Sequence, residues 1–173
     1  MNLQKLYDTS FEEMFRSMQM LNFTVLYYDF DFDKDDLKTF NQNIVEYNDK
    51  YLDDRELFKA AESMLLDKYE FNCEKKAAAF PFRAKTKMMK LPKTRLSVEA
   101  RQIAIGAANH SINVFLVLAL QEFVTTWNKS PEDVSKYWEH MLKNAVNYSN
   151  GMTDEFVVQY FKDELNLDIN INK

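Results

Sequence analysis

The stretch SVEARQIAIGAANHSINVFLVLALQEFVTTW, residues 97–127, decides how we expect this chain to fold. Its second half is nearly apolar, and its apolar residues cover more than one helical face: Ile103, Ile112, Phe115, Leu116, Leu118, Ala119, Phe123 and Trp127. A helix that is apolar on several faces is usually covered on several sides. The stretch therefore predicts one long central helix, in which Gly106 either admits a second backbone or bends the helix.

The residues that follow predict two more helices packed on the central one. Ser130-Pro131-Glu132-Asp133 is a helix start, because Ser caps, Pro suits the first helical position and the acids favour the positive helix end. Asn150-Gly151 predicts a left-handed stop, and Thr153 predicts the cap of the last helix. We expect residues 97–168 to form a C-terminal helical bundle. The chain from Asn166 onwards is expected to fray, with 169–173 as a tail.

The first 72 residues predict a bundle of short helices with one extended segment. Ser10 and Glu13 form a capping-box pattern that opens a helix over about 11–21. Residues 23–33 (FTVLYYDFDFD) are aromatic, β-branched and partly alternating, which predicts an extended segment. Amphipathic helices are expected after Asp33 or Asp35 and after Asp53. With only two glycines and three prolines in 173 residues, the fold class predicted for the whole chain is mainly α.

A basic connector, residues 73–96, joins the two predicted bundles. The 24 residues from Lys75 to Val98 hold no acid and eight bases: Lys75, Lys76, Arg83, Lys85, Lys87, Lys90, Lys93 and Arg95. Because the whole chain has 22 Lys+Arg and 27 Asp+Glu, the window carries +8 and the remainder −13. Pro81 and Pro92 disfavour helix in the residues before them, so a loop with at most a short helix is expected.

The basic residues admit several interpretations. Together with Arg101 they can neutralise phosphates, while Phe80 and Phe82 can stack on unpaired bases. The acidic remainder of the chain opposes that use, because it repels nucleic acid over about a Debye length. The alternatives are an acidic protein partner, a contact with the protein's own acidic bundles or within a homodimer, and a solvated linker.

An acidic run precedes the second helix. Its carboxylates are Asp29, Asp31, Asp33, Asp35 and Asp36. The run lacks the Gly and Glu that a calcium loop needs at its sixth and twelfth positions, which are Lys34 and Phe40 here. In the first interpretation of this run, the acids simply alternate with buried aromatic residues and lead into the cap of the next helix. A docking surface for a basic partner is the second.

Common catalytic and cofactor patterns are missing from the sequence. There is no G-x-x-x-x-G-K-[ST] or G-x-G-x-x-G turn to cradle phosphates. Cys73 is the only cysteine, which excludes a disulfide within the chain and suits a reducing cytoplasm. Neither His110 nor His140 has a second ligand at a metal spacing. We therefore predict no catalytic residue, no metal and no cofactor. The most apolar run, 112–120, is shorter than the roughly 20 residues that span a bilayer, so no membrane segment is expected.

Part of the chain resembles a known group of proteins. The residues that carry the resemblance are Leu118–Phe123 (LALQEF), Tyr137-Trp138, Ser149-Asn150-Gly151, and Asp154-Glu155-Phe156 leading to Glu164-Leu165. With them, residues 96–168 resemble the C-terminal part of small, largely uncharacterised helical proteins of Gram-positive phages and mobile elements. This chain departs from them at 124–127, where such proteins often have a glycine-containing junction. The resemblance implies a mobile-element origin and no catalytic residues.

These observations lead to two hypotheses about function. The first is a non-enzymatic phage or mobile-element accessory protein that binds another protein in the cytoplasm of a bacterial host. Within that class we expect an inhibitor of a host defence nuclease, resembling an anti-CRISPR protein, whose acidic surface occupies a basic nucleic-acid channel. The alternative is a DNA- or RNA-binding regulator that uses the basic connector.

Overall fold

The computed structural model describes residues 2–92 and 95–169, and this part of the chain consists of helices joined by short turns. The eight helices are α1 (Leu3–Asp29), α2 (Lys34–Asp53), α3 (Arg55–Tyr69), α4 (Cys73–Ala79), α5 (Phe82–Met88), α6 (Val98–Thr125), α7 (Pro131–Ser149) and α8 (Asp154–Leu165). The described residues contain no strand. The predicted mainly α class is confirmed.

Helix α6 is the centre of the fold. Helix α1 packs along it more extensively than any other pair of helices does, and α2, α3 and α4 also lie against it. Helix α7 packs on α1 and α5, and α8 packs on α1. The core is one cluster that draws on residues from both sides of the basic connector, such as Met14, Phe40, Phe115 and Tyr137. The prediction that the central helix is covered on several sides is confirmed.

Helix α6 is also long and apolar enough to cross a membrane if only length and composition are considered. Its most apolar window has a mean hydropathy of 1.8, and 61% of that window is buried among the other described helices. Core helices of water-soluble proteins pass the same test. Its burial here is that of a core helix.

The extended segment predicted over 23–33 is wrong for most of its length. Helix α1 begins at Leu3, where the Asn2 side chain caps it, and continues to Asp29. Phe23, Val25 and Leu26 are buried in the core. The described residues provide no strand with which this segment could pair, so burial of a helical face outweighs the β-propensity of its aromatic and β-branched residues.

The predicted connector loop contains two short helices. Phe80 has the extended backbone expected before a proline, so Pro81 separates α4 from α5. Ala77, Ala84 and Met88 point inward and are buried. Small and flexible apolar residues between the lysines therefore give the connector a buried face.

Two predictions about chain ends have different outcomes. The stop at Gly151 is confirmed, since α7 ends at Ser149 and Gly151 has φ +107°. Fraying from Asn166 is wrong up to residue 169, because Leu167 and Ile169 are buried and the Leu167 N–H donates to the Phe161 carbonyl at 3.2 Å. Residues 170–173 of the predicted tail lie outside the described residues.

Candidate protein-binding groove

An open groove of about 460 Å³ lies between the C-terminal part of α1 and the facing parts of α7 and α8. Because α1 continues to Asp29, it places Tyr28 and Asp29 at the rim. The turn at Gly151 folds α8 back beside α7. The lining residues are Thr24, Tyr28, Asp29, His140, Lys143, Asn144, Asn147, Met152, Phe156, Val157, Tyr160 and Phe161.

The α7 wall of the groove is polar. His140, Lys143, Asn144 and Asn147 follow one another at spacings of i, i+3, i+4 and i+7, which places them on one helical face. The Asn144 side-chain amide donates to the His140 carbonyl at 2.8 Å, leaving its own oxygen as an acceptor. The Nζ of Lys143 lies 3.8 Å from Glu139, and both side chains are exposed.

The opposite walls are aromatic. Phe156 is 63% exposed and Tyr28 is 54% exposed, although both are large rings. The Tyr28 hydroxyl donates to the Tyr160 hydroxyl and so joins α1 to α8. Burial, that hydrogen bond and nearby charges raise the pKa of Tyr28, so the hydroxyl stays protonated at neutral pH. The groove thus combines apolar rings with amide groups, a composition typical of protein interfaces.

Asp29 and His140 connect the two walls at one end of the groove. Asp29 Oδ1 lies 3.4 Å from His140 Nδ1, so the end of α1 is held against α7. No local pattern indicates this contact, because the two residues are more than 100 positions apart. The apolar residues of the last helix that the spacing places inward are Val157, Tyr160, Phe161 and Leu165, so the exposed Phe156 was also missed.

A buried polar cluster holds α8 in place behind the groove. The Ser17 hydroxyl is 3.0 Å from each Asp154 carboxylate oxygen, and the Tyr148 hydroxyl donates to Asp154 Oδ1 at 2.6 Å. Burial raises the pKa of Asp154, although these hydrogen bonds act in the opposite direction. The cluster joins α1, α7 and α8, so it fixes the position of the α8 wall.

The acidic turn, residues 29–36, places its carboxylates in three settings. Asp29 lines the groove. Asp33 and Asp36 form a capping box at the start of α2, with N–O distances of 2.9 and 3.0 Å. Asp31 and Asp35 are exposed. The predicted cap is therefore confirmed, while use of the run as a docking surface remains a prediction.

The aromatics of this turn face inward, as the first interpretation requires. Phe32 is 4% exposed, and its ring centroid lies 4.5 Å from that of Trp127. Phe30 packs on Phe123 at 5.0 Å. Asp31 lies between these two residues in the chain and is exposed, and Asp35 is exposed on the first turn of α2.

Two residues of the predicted basic surface have internal partners. Lys85 is 3% exposed, and its Nζ donates to Asn109 Oδ1 at 2.6 Å and to the Ala78 carbonyl at 3.1 Å. Burial lowers the pKa of Lys85. Lys90 lies 3.3 Å from Glu13 and 3.1 Å from Glu155. Lys85 therefore cannot reach an external ligand, and Lys90 is already paired with two carboxylates.

Of the other predicted basic residues, one packs on an aromatic ring and most of the rest are exposed to solvent. Lys76 lies over the Phe71 ring at 5.7 Å, and Lys93 is outside the described residues. Exposed side chains remain at Lys75, Arg83, Lys87, Arg95 and Arg101. Phe80 is buried against Trp138, with centroids 6.0 Å apart, so it cannot stack on a base. Phe82, which is 57% exposed, can do so.

Cys73 and the histidines, which a nucleophilic enzyme could use together, have ordinary surroundings. Cys73 is buried, and burial raises the pKa of its thiol to about 12, so it is protonated at neutral pH. His110 Nδ1 lies 2.6 Å from the Tyr7 hydroxyl and so has a hydrogen-bond partner other than Cys73. Within residues 2–92 and 95–169, no group of three or more His, Cys, Asp and Glu side chains is arranged to hold a metal ion.

Comparisons of this chain with protein-family models, with curated proteins and with solved structures find no match. The resemblance of residues 96–168 to phage and mobile-element proteins therefore remains an expectation. The groove is interpreted on its own geometry.

Proposed function

We propose that this chain acts by binding another protein through the groove between α1, α7 and α8, and not by catalysis. The observation that carries the proposal is the pair of exposed rings, Phe156 and Tyr28, at the mouth of a groove with an amide-bearing wall. Exposed aromatic surface framed by polar groups is typical of an interaction site. Covering these rings would remove apolar area from water at about 25 cal/mol per Å².

A protein segment suits the groove better than a small ligand does. Small-molecule sites usually enclose most of the ligand, whereas both rings here are more than half exposed. Asn144 and Asn147 can each donate and accept hydrogen bonds. That capacity matches a peptide backbone, which presents alternating donors and acceptors.

The finer proposal is an accessory protein of a phage or mobile element that inhibits a host defence nuclease in the bacterial cytoplasm. It is supported by the acidic turn, which runs on from the groove at Asp29 and exposes Asp31 and Asp35. Nucleases hold their substrates in basic channels. An acidic surface next to an aromatic groove is complementary to such a channel.

Site-specific photocrosslinking tests whether the groove binds protein. A benzoyl-phenylalanine placed at position 156 should form a discrete adduct in bacterial cells that express the full chain. The same residue at position 82 is the matched control, because Phe82 and Phe156 are 57% and 63% exposed on different surfaces. No adduct at 156, or the same adducts at both positions, would exclude the groove as the interface.

A cleavage assay tests the inhibitor proposal separately. RNA-guided nucleases are incubated with target DNA and with the wild-type chain, Phe156→Ala or Phe82→Ala. We expect the wild type and Phe82→Ala to slow cleavage and Phe156→Ala to lose most of that effect. Unchanged cleavage with the wild-type chain across a panel of such nucleases would refute inhibition of this class.

A nucleic-acid-binding regulator is the second candidate, favoured by the outer face of α5. Arg83 and Lys87 lie one helical turn apart there, next to the exposed ring of Phe82. The variant Lys75→Gln/Arg83→Gln/Lys87→Gln tests it without disturbing Lys85 or Lys90, which have internal partners. If the connector binds single-stranded nucleic acid, a plot of log binding constant against log salt concentration has a negative slope. The variant should make that slope shallower by about 0.7 for each phosphate that it no longer neutralises.

A further inference from the structure

The groove carries a charge pattern in addition to its aromatic rings. Near the contact between Asp29 and His140, each of the three helices carries a carboxylate, of which Asp29 belongs to the lining and the other two lie beside it. Asp29 comes from α1 and lies in the groove wall. Glu139 precedes His140 on α7, and the charge of Glu164 on α8 reaches Tyr28.

The cations near this end of the groove do not balance these acids. Lys143 is the lysine in the lining, and it is already 3.8 Å from Glu139. Lys129 lies over the Phe30 ring at 5.9 Å, just beyond the end of α1. Asp31 adds a further carboxylate, and two residues of chain place it within about 7 Å of Asp29. An excess of negative charge remains.

Lys143 lies beside Glu139 and His140 lies beside Asp29, so these two residues offset part of the negative charge. Asp31 and Glu164 add to it, and a further cation at this rim would reduce the repulsion among the carboxylates. The aromatic ring at the same place adds to the preference, because a guanidinium or ammonium is attracted to the face of a tyrosine. Tyr28 is 54% exposed and is therefore accessible to such a group. Phe156 and Met152 contribute apolar lining away from Asp29, since the neighbouring Asp154 lies against Ser17 in the middle of α1.

We infer that the groove takes a basic segment of a partner protein, in which an apolar anchor is followed by Lys or Arg. The anchor packs against Phe156 and Met152, and the cation faces Asp29, Glu139 and Glu164. This assignment rests on the proposed protein-binding function and adds the chemistry of the partner. It does not depend on the partner being a nuclease.

Fluorescence anisotropy with defined peptides tests the inference. The probes are three labelled twelve-residue peptides with the same Leu-Trp anchor, followed by four Arg, four Gln or four Glu. We expect the full-length chain to bind the Arg peptide at least about tenfold more tightly than the Gln peptide, since exposed ion pairs each contribute up to about 1 kcal/mol. Raising the salt concentration should reduce that difference.

Two pairs of variants locate the binding. Asp29→Asn/Glu139→Gln/Glu164→Gln should remove most of the preference for Arg over Gln. Glu46→Gln/Asp49→Asn/Asp67→Asn, which removes the same charge from exposed positions on α2 and α3, should change it less than about twofold. Phe156→Ala should weaken every peptide that binds, and Phe82→Ala should not.

Each alternative result has a definite meaning. If the Gln or Glu peptide binds best and Phe156→Ala weakens it, the groove binds protein but the basic assignment is wrong. If both charge triples have the same effect, the attraction belongs to the whole acidic chain and the inference fails. If no peptide binds, the inference also fails, and the crosslink at 156 still decides the proposed function. A dimer in sedimentation that Phe156→Ala dissociates would assign the groove to a second copy of this chain.

Discussion

The same substitution at the two glycines should change stability in opposite directions. Gly106 lies on an exposed face inside α6, and an added Cβ would meet no atom within 4 Å. The close approach of another backbone, one of the two roles predicted for Gly106, is therefore absent. Gly106→Ala should stabilise the protein by up to about 1 kcal/mol because alanine favours helix. A Cβ added at Gly151 would also meet no atom within 4 Å, but the φ of Gly151 is +107°. Alanine disfavours that backbone conformation, so Gly151→Ala should cost about 1–3 kcal/mol.

Urea unfolding monitored by circular dichroism measures the change in the free energy of unfolding of each variant. For a domain of this size each kcal/mol corresponds to about 2–4 °C in the melting temperature, so the two variants should melt on opposite sides of the wild type. The slope of unfolding free energy against urea should stay constant, since neither change alters the buried area much. A destabilised Gly106→Ala would refute the reasoning, because the exposed face of α6 would then have to be covered by something.

Three further outcomes are expected. Tyr137→Phe should cost about 1–3 kcal/mol, because it leaves the buried Asn22 oxygen without its 2.6 Å hydrogen bond. Tyr69→Phe, at a half-buried tyrosine, is the control in the same melts. The raised pKa of Asp154 means that the native state binds its proton more tightly than the unfolded chain does. Wild-type stability relative to Asp154→Asn should therefore fall as pH rises from the ordinary carboxyl pKa through the raised native one, and a flat difference would contradict that. Leu167→Ala should cost about 2–5 kcal/mol in urea unfolding, whereas a frayed end would lose almost nothing.

Local signals in the sequence predicted some of the helix starts and not others. The capping box expected at Ser10 is wrong, because Ser10 lies inside α1, which begins at Leu3 with Asn2 as its cap. Ser130 and Asp33 both form capping boxes where their patterns indicated them, because a cap depends only on residues within one turn. The apolar faces of α6 likewise indicated its central place. The mainly α class followed from these signals and from the shortage of glycine and proline.

Features that depend on distant contacts were not predictable in the same way. Tyr28 and Tyr160, which join two walls of the groove, are 132 residues apart in the chain. The segment 23–29 has residues that favour strands, and only its burial against other helices makes it helical. The basic connector shows the same limit, since its charge pattern does not distinguish the buried Lys85 from the exposed Lys87.

The pairing of α1 with α6 has a consequence for synthesis on the ribosome. Helix α1 is made before α6, the helix that packs on it most extensively and that ends at Thr125. At roughly 5–20 residues per second, about 100 further residues require about 5–20 s. During that interval the apolar face of α1 is exposed to solvent, where it is a target for holding chaperones and for aggregation with other nascent chains. Slower translation of residues 98–125 would lengthen that exposure. The yield of folded protein in the cell should therefore depend on translation speed through this stretch.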